Sequence, residues 1–175
     1  MKKSLKNWQK IGFVFTGALG VILHFLYEWT NESIITASFA AVNESTWEHM
    51  KLLFVPLFIF AIIQWKIKGR HYESFWGVKL IGTLAGLITI PVIYYTYTGV
   101  FGNSADWFNI AIFFIAAAVS FCLEWRFFSR GVSLDIPQLW AFSALCIMFI
   151  AFIVLTFIQP KIPLFMDPVT KSFGR

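Results

Sequence analysis

The sequence predicts an all-α polytopic membrane protein, a helix bundle of five transmembrane helices with its N-terminus cytoplasmic and its C-terminus outside. Three observations predict it. The 175-residue chain is 58% hydrophobic, with 21 Phe and a mean hydropathy of +0.71, too apolar for a soluble fold of this length. Its apolar runs reach the roughly 20 helical residues that cross a bilayer. Its Lys and Arg gather in alternate connections, as the positive-inside rule requires. By length, 1–175 is one membrane domain.

The first span covers about 10–29. The charged stretch Met1-Lys2-Lys3-Ser4-Leu5-Lys6 resembles the start of a secretory signal. However, the apolar run continues through His24 to Trp29 with no small-residue cleavage site, so it reads as an uncleaved helix. The second span covers about 45–65 and opens on Ser45-Thr46-Trp47-Glu48. That pattern is a capping box, with Ser45 as the cap and Glu48 reaching back to its amide. The third covers about 75–97, interrupted by Pro91; the fourth covers about 106–128 and the fifth about 137–159. All 8 Trp fall near predicted helix ends, where an interfacial aromatic belt places them. Cys122 and Cys146 lie within apolar runs, in no metal-binding spacing, and read as core packing.

Between the first two spans, residues 34–42 are too apolar for a solvated loop and too short to cross. A re-entrant or interfacial segment fits them.

Orientation follows from the loops. Lys2, Lys3, Lys6 and Lys10 precede the first span; Lys66, Lys68 and Arg70 follow the second; Arg126 and Arg130 follow the fourth. The other two connections carry no Lys or Arg, so they face outward. This distribution also explains the net charge of +5 without nucleic acid as a partner. The partner is the lipid bilayer. Glu28, Glu32, Glu44, Glu48, Asp106 and Asp167 then fall on the outer side, while Glu73, Glu124 and Asp135 fall inside.

Ionisable groups in membrane spans are costly and mark sites or pathways. Two stretches concentrate them: His24 to Glu28, and Asn43 to His49. His24 and Glu28, four apart, share one helix face, with His24 about 7–8 Å deeper than Trp29. Glu48 and His49 open the second span, which returns from the same side. We therefore expect His24, Glu28, Glu48 and His49 to converge as ligands for a divalent metal, of which zinc, iron and manganese suit imidazole and carboxylate donors. Against this stand the capping role of Glu48, an ion pair of Glu28 with Lys51, and a hydrogen bond from His24 to a neighbouring helix. Glu44, Tyr94, Tyr95 and Asp106 are candidates for binding a substrate, the tyrosines and acids forming a cradle for an organic cation. The segment 160–168 should be extended and fold back over the outer face, which would bring Asp167 to the site.

Other polar residues read as structural. Lys79, Glu124 and Arg126 near helix ends suit snorkelling and ion pairing. Gly82 with Gly86, and Gly17 with Gly20, make small faces for close helix packing. There is no H-E-x-x-H, no G-x-S-x-G and no phosphate-binding glycine loop.

The segment Val42-Asn43-Glu44-Ser45-Thr46-Trp47-Glu48-His49-Met50-Lys51, with the His24–Glu28 stretch and Asp167-Pro168, resembles a family of small bacterial multi-pass membrane proteins. Those proteins carry an N-E-S-x-W-E-H segment. The resemblance covers the whole chain and implies a bacterial plasma membrane, but no activity, cofactor or catalytic residue. In size the chain also resembles the substrate-binding membrane subunits of vitamin uptake systems, which have six spans.

Three functions remain at this level. The first is metal binding, for surface hydrolysis or metal handling. The second is a solute-binding or transport subunit for a small organic cation. The third is a structural or partner-binding membrane protein, with a homo-oligomer as one form.

Overall fold

The computed structural model describes residues 2–102 and 105–174, and the side chains among them except those of 2–4 and 106. Its helices are α1 (Lys2–Trp29), the short α2 (Ile34–Ala37), α3 (Thr46–Ile67), α4 (Phe75–Phe101), α5 (Asp106–Arg130) and α6 (Gln138–Phe157). All but α2 are long and apolar enough to cross a membrane. Single 3-10 turns lie at Gly69–His71 and Pro163–Phe165.

α3 is the central helix and packs against α1, α4, α5 and α6. Its residues Leu52 to Leu57 are buried in an unbroken run, as expected of a helix with neighbours on every side. Aromatic rings join it to α6: Trp47 meets Phe152 at 4.5 Å between centroids, and Phe54 meets the same ring at 5.0 Å. α1 runs antiparallel to both α3 and α5, with Gly12 against the rings of Phe60 and Phe121. α4 and α5 meet across Gly82 and Gly86. A β-carbon at Gly86 would fall 2.0 Å from Ser120 Oγ, and one at Gly82 would fall 2.6 Å from Glu124 Cγ. These absent side chains let the two backbones close, which matters where dispersion rather than hydrophobic burial drives helix association.

Several expectations are corrected. Pro91 does not interrupt its helix: α4 runs on to Phe101 and ends at Gly102, whose φ of 78° is the left-handed stop favoured by glycine. Cys122 faces outward rather than into the core. Trp76 is buried, 4.6 Å from Phe142, rather than standing in an interfacial belt. Lys79 and Glu124 do pair, but neither snorkels. Both are about 1% exposed, at 2.5 Å, with the ammonium flanked by the rings of Phe60, Phe75 and Phe121. Glu124 is placed by the Gly82 gap, so its short reach to α4 replaces the route to water.

A second buried pair organises the opposite end, where α1 finishes and α3 begins. Lys51, fully buried, donates to Glu48 Oε2 at 2.6 Å, to the Ala37 carbonyl at 2.9 Å and to Thr156 Oγ1 at 2.8 Å. An ammonium has three N–H donors, and all three are used. Glu48 also accepts from the Val42 amide and from Thr156 Oγ1. The capping box is therefore half formed. Ser45 Oγ accepts from the Glu48 amide, but the Ser45 amide donates to Asn43 Oδ1 and not to Glu48. Lys51 pairs with Glu48 and not with Glu28.

The 34–42 segment folds down onto this network. Ala37 and Ala40 are buried, Tyr27 packs with them, and the Ala41 amide donates to the Leu23 carbonyl of α1. Ile34 and Ile35 are left 64% and 74% exposed, an apolar outer face suited to an interfacial segment.

Removing one partner of a buried pair leaves the other uncompensated. Lys51→Met should destabilise the fold by about 3–5 kcal/mol, and Lys51→Met with Glu48→Gln should recover part of the loss. Thermal unfolding in detergent micelles measures both. A single variant that melts with wild type would show that the pair contributes nothing.

Candidate functional site

Two His and one carboxylate meet beside this network. His24 stands on α1 a turn and a half before its end, and His49 in the first turn of α3; their ring centroids are 5.9 Å apart. Glu44 reaches both from the connecting loop: Oε1 lies 3.8 Å from His24 Nε2, and Oε2 lies 3.6 Å from His49 Nε2.

The protonation of His49 can be argued from its other nitrogen. Nδ1 is 3.0 Å from the Ser45 carbonyl, which only accepts, so Nδ1 carries the hydrogen. In neutral His49, Nε2 is then a bare lone pair aimed at a carboxylate, and two acceptors face each other. Either a proton on Nε2 makes an imidazolium–carboxylate pair, or a cation or N–H donor from outside occupies the gap. His24 Nδ1 is buried and has no hydrogen-bond partner, which leaves this wall of the site short of contacts.

These residues line a cavity of ≈ 720 Å³ bounded by α1, α3, α4, α5 and the segment after Phe165. Tyr94 and Thr98 of α4 and Asn109 of α5 share its polar end. Asn109 Oδ1 is buried without a hydrogen-bond partner. A second cavity of ≈ 20 Å³ lies against Glu44, His49, Tyr94 and Asn109, room for about one water.

The expected set is thus rearranged. His24 and His49 come together, and Glu44, read as a substrate contact, supplies the carboxylate. Glu48 does not turn towards the histidines, because Lys51 and Thr156 hold it. Glu28 is exposed near the end of α1 and does not line the cavity. Among the described residues, no group of three or more His, Cys, Asp or Glu is arranged to hold a metal ion. Tyr94 lines the cavity; Tyr95, 39% exposed, is not among the lining residues and packs edge-to-face with Tyr94 at 5.3 Å. The Asp106 side chain lies outside the described residues.

The segment 160–174 does fold back, but through a turn and not as an extended strand. Phe165 is buried against the Trp47 ring at 4.7 Å. Asp167 Oδ1 accepts from the amides of Val169 and Thr170, and Oδ2 accepts from the amide of Glu44. Asn43 Nδ2 donates to the Gly174 carbonyl. Asp167 therefore holds the backbone of the site carboxylate without entering the cavity, while Pro168, Val169 and Lys171 form part of its wall.

Over residues 1–175 the chain matches a family of unknown function, DUF6512, and it belongs to that family. No curated protein and no solved structure matches it.

Asp167→Ala should free the turn from the loop. The amides of Glu44, Val169 and Thr170 should exchange about tenfold faster, equivalent to one hydrogen bond's net worth. Hydrogen exchange read by mass spectrometry measures this, and unchanged protection would show that Asp167 does not secure the turn.

Proposed function

We propose that this multi-pass membrane protein binds a cationic ligand at His24, Glu44 and His49, in a cavity facing out of a bacterial plasma membrane. One observation carries the reading: His49 Nε2 and the Glu44 carboxylate, both acceptors while the imidazole is neutral, face each other across 3.6 Å at the wall of a ≈ 720 Å³ cavity. An ammonium group satisfies such a pair with charge-assisted hydrogen bonds. The volume falls within the range of small-molecule sites, and Tyr94 offers an aromatic face beside the charge. The outward assignment rests on the basic residues around 2–10, 66–70 and 126–130 at the opposite end. This reading makes the chain a solute-binding or transport protein for an organic cation.

A second reading has an observation of its own. His49 donates its Nδ1 hydrogen to a backbone carbonyl, the arrangement that orients metal-bound imidazoles. A divalent zinc, iron or manganese ion held by His24, Glu44 and His49 would draw together side chains whose nitrogens now stand 3.8 and 3.6 Å from the carboxylate oxygens, since such ligands sit about 2 Å from the metal. Cavity space beside it would remain for a hydrolysable substrate.

Isothermal titration of the detergent-purified protein with ethanolamine, and separately with zinc and manganese, tests both. Wild type should bind ethanolamine, and Glu44→Gln should weaken it by about 10–100-fold, the loss of one charged hydrogen bond of about 1.5–3 kcal/mol. His49→Ala should weaken it as well. Tight metal binding with no amine binding would favour the second reading. Binding of neither would leave His24, Glu44 and His49 as an internal ion-pair cluster in a structural protein.

A further inference from the structure

The cavity has two ends of opposite character, and the lower one is explained neither by a small cation nor by a metal. At and beneath the level of His24 it continues between α1 and α5, where its wall is Gly20, Val21, Ile110, Phe113 and Phe114. At the floor of this stretch the Phe113 ring rests directly on the α1 backbone, where a β-carbon at Gly20 would lie 2.4 Å from it, so the two helices close below the cavity. Val21 and Ile110 are 49% and 61% exposed. They stand on the outside of two spanning helices, so the cavity is open sideways, at the level of the apolar chains of a bilayer. Along α4 its lining runs from Tyr94 to Gly102, about 12 Å at 1.5 Å per residue. Lys171, also in the lining and exposed, adds a cation at the upper rim.

From this division we infer that the ligand is a membrane amphiphile with an ammonium head beside an anionic group, a phosphoethanolamine lipid. Its ammonium sits between Glu44 and His49, its phosphate meets Lys171, and its acyl chain lies over the Phe113 and Phe114 rings, alongside Val21 and Ile110. It enters laterally from the outer leaflet. The inference rests on the cation-binding reading above and adds the ligand's apolar part and its route. Charge complementarity fixes the head: acceptors line the buried part and the ammonium of Lys171 stands at the rim. The exposed apolar liners Val21 and Ile110 fix the tail, because a water-soluble cation gains nothing from an apolar wall on the lipid-facing side.

The test uses the full chain in nanodiscs of phosphatidylglycerol containing a minor fraction of phosphatidylethanolamine. Native mass spectrometry after release counts the lipids that stay bound. Wild type should retain phosphatidylethanolamine at about one per chain, enriched over its share of the bilayer. Val21→Trp and Ile110→Trp, both at exposed positions, cover the apolar wall and should lower retention at least fivefold while weakening ethanolamine binding by less than twofold. Glu44→Gln should lower both. Thermal unfolding confirms that each variant is folded; if one Trp variant misfolds, the other decides. Retention without preference for the ammonium head, or undiminished in the folded Trp variants, overturns the inference. Ethanolamine binding with no lipid enrichment overturns it too, and leaves the cation-binding reading standing. Absence of both ethanolamine and lipid binding overturns the two together.

Discussion

The ammonium of Lys51 is the constraint on which this end of the bundle depends. Buried without access to water, it must find three acceptors, and it takes them from α3 (Glu48), from the end of α2 (the Ala37 carbonyl) and from α6 (Thr156). Desolvating such a charge costs several kcal/mol, which only a complete set of partners offsets. One side chain therefore sets where the 34–42 segment comes down and where the end of α6 stands. Glu48, already engaged by Lys51, closes the network through Thr156 and the Val42 amide.

That closure decides which carboxylate is left for chemistry. Glu48 has its charge matched and its oxygens occupied. Glu44, four residues earlier in the loop, has 47% of its side chain exposed, and its oxygens face imidazole nitrogens at distances too long for hydrogen bonds. The Lys79–Glu124 pair follows the same logic as Lys51–Glu48 at the other end, sealed among three phenylalanine rings. Glu44, by contrast, meets two imidazoles and not a buried ammonium.

Much of this was legible in the residues. The helices follow from apolar run length, and two of their ends from Trp29 and Ser45, a stop and a start each with its own chemistry. His24 and His49 were identifiable because both sit where two spans turn at one end, and that placement survives rearrangement of everything around them. What was not legible was the competition among the acids. Helical spacing pairs His24 with Glu28, four residues on, but the loop from Asn43 to Ser45 folds back over the helix end and brings Glu44 instead. Nothing in the spacing of Glu48 and Lys51 reveals that a carbonyl at residue 37 and a hydroxyl at residue 156 will complete their shell. Those contacts span 14 and 105 residues, beyond the reach of any local pattern. The close approach of α1 and α5 was visible as Gly17 and Gly20, a packing device on which the Phe114 and Phe113 rings rest.

The tie between Asp167 and the Glu44 amide has a consequence for how the protein is made. Residues 167–174 follow every spanning helix in chain order, so the turn that secures Glu44 is made after all five helices. A chain halted before residue 167 would have its five helices and an unfinished cavity, its loop carboxylate untethered on one side. The bundle and the anchoring of its loop carboxylate are thus encoded in successive stretches of the chain.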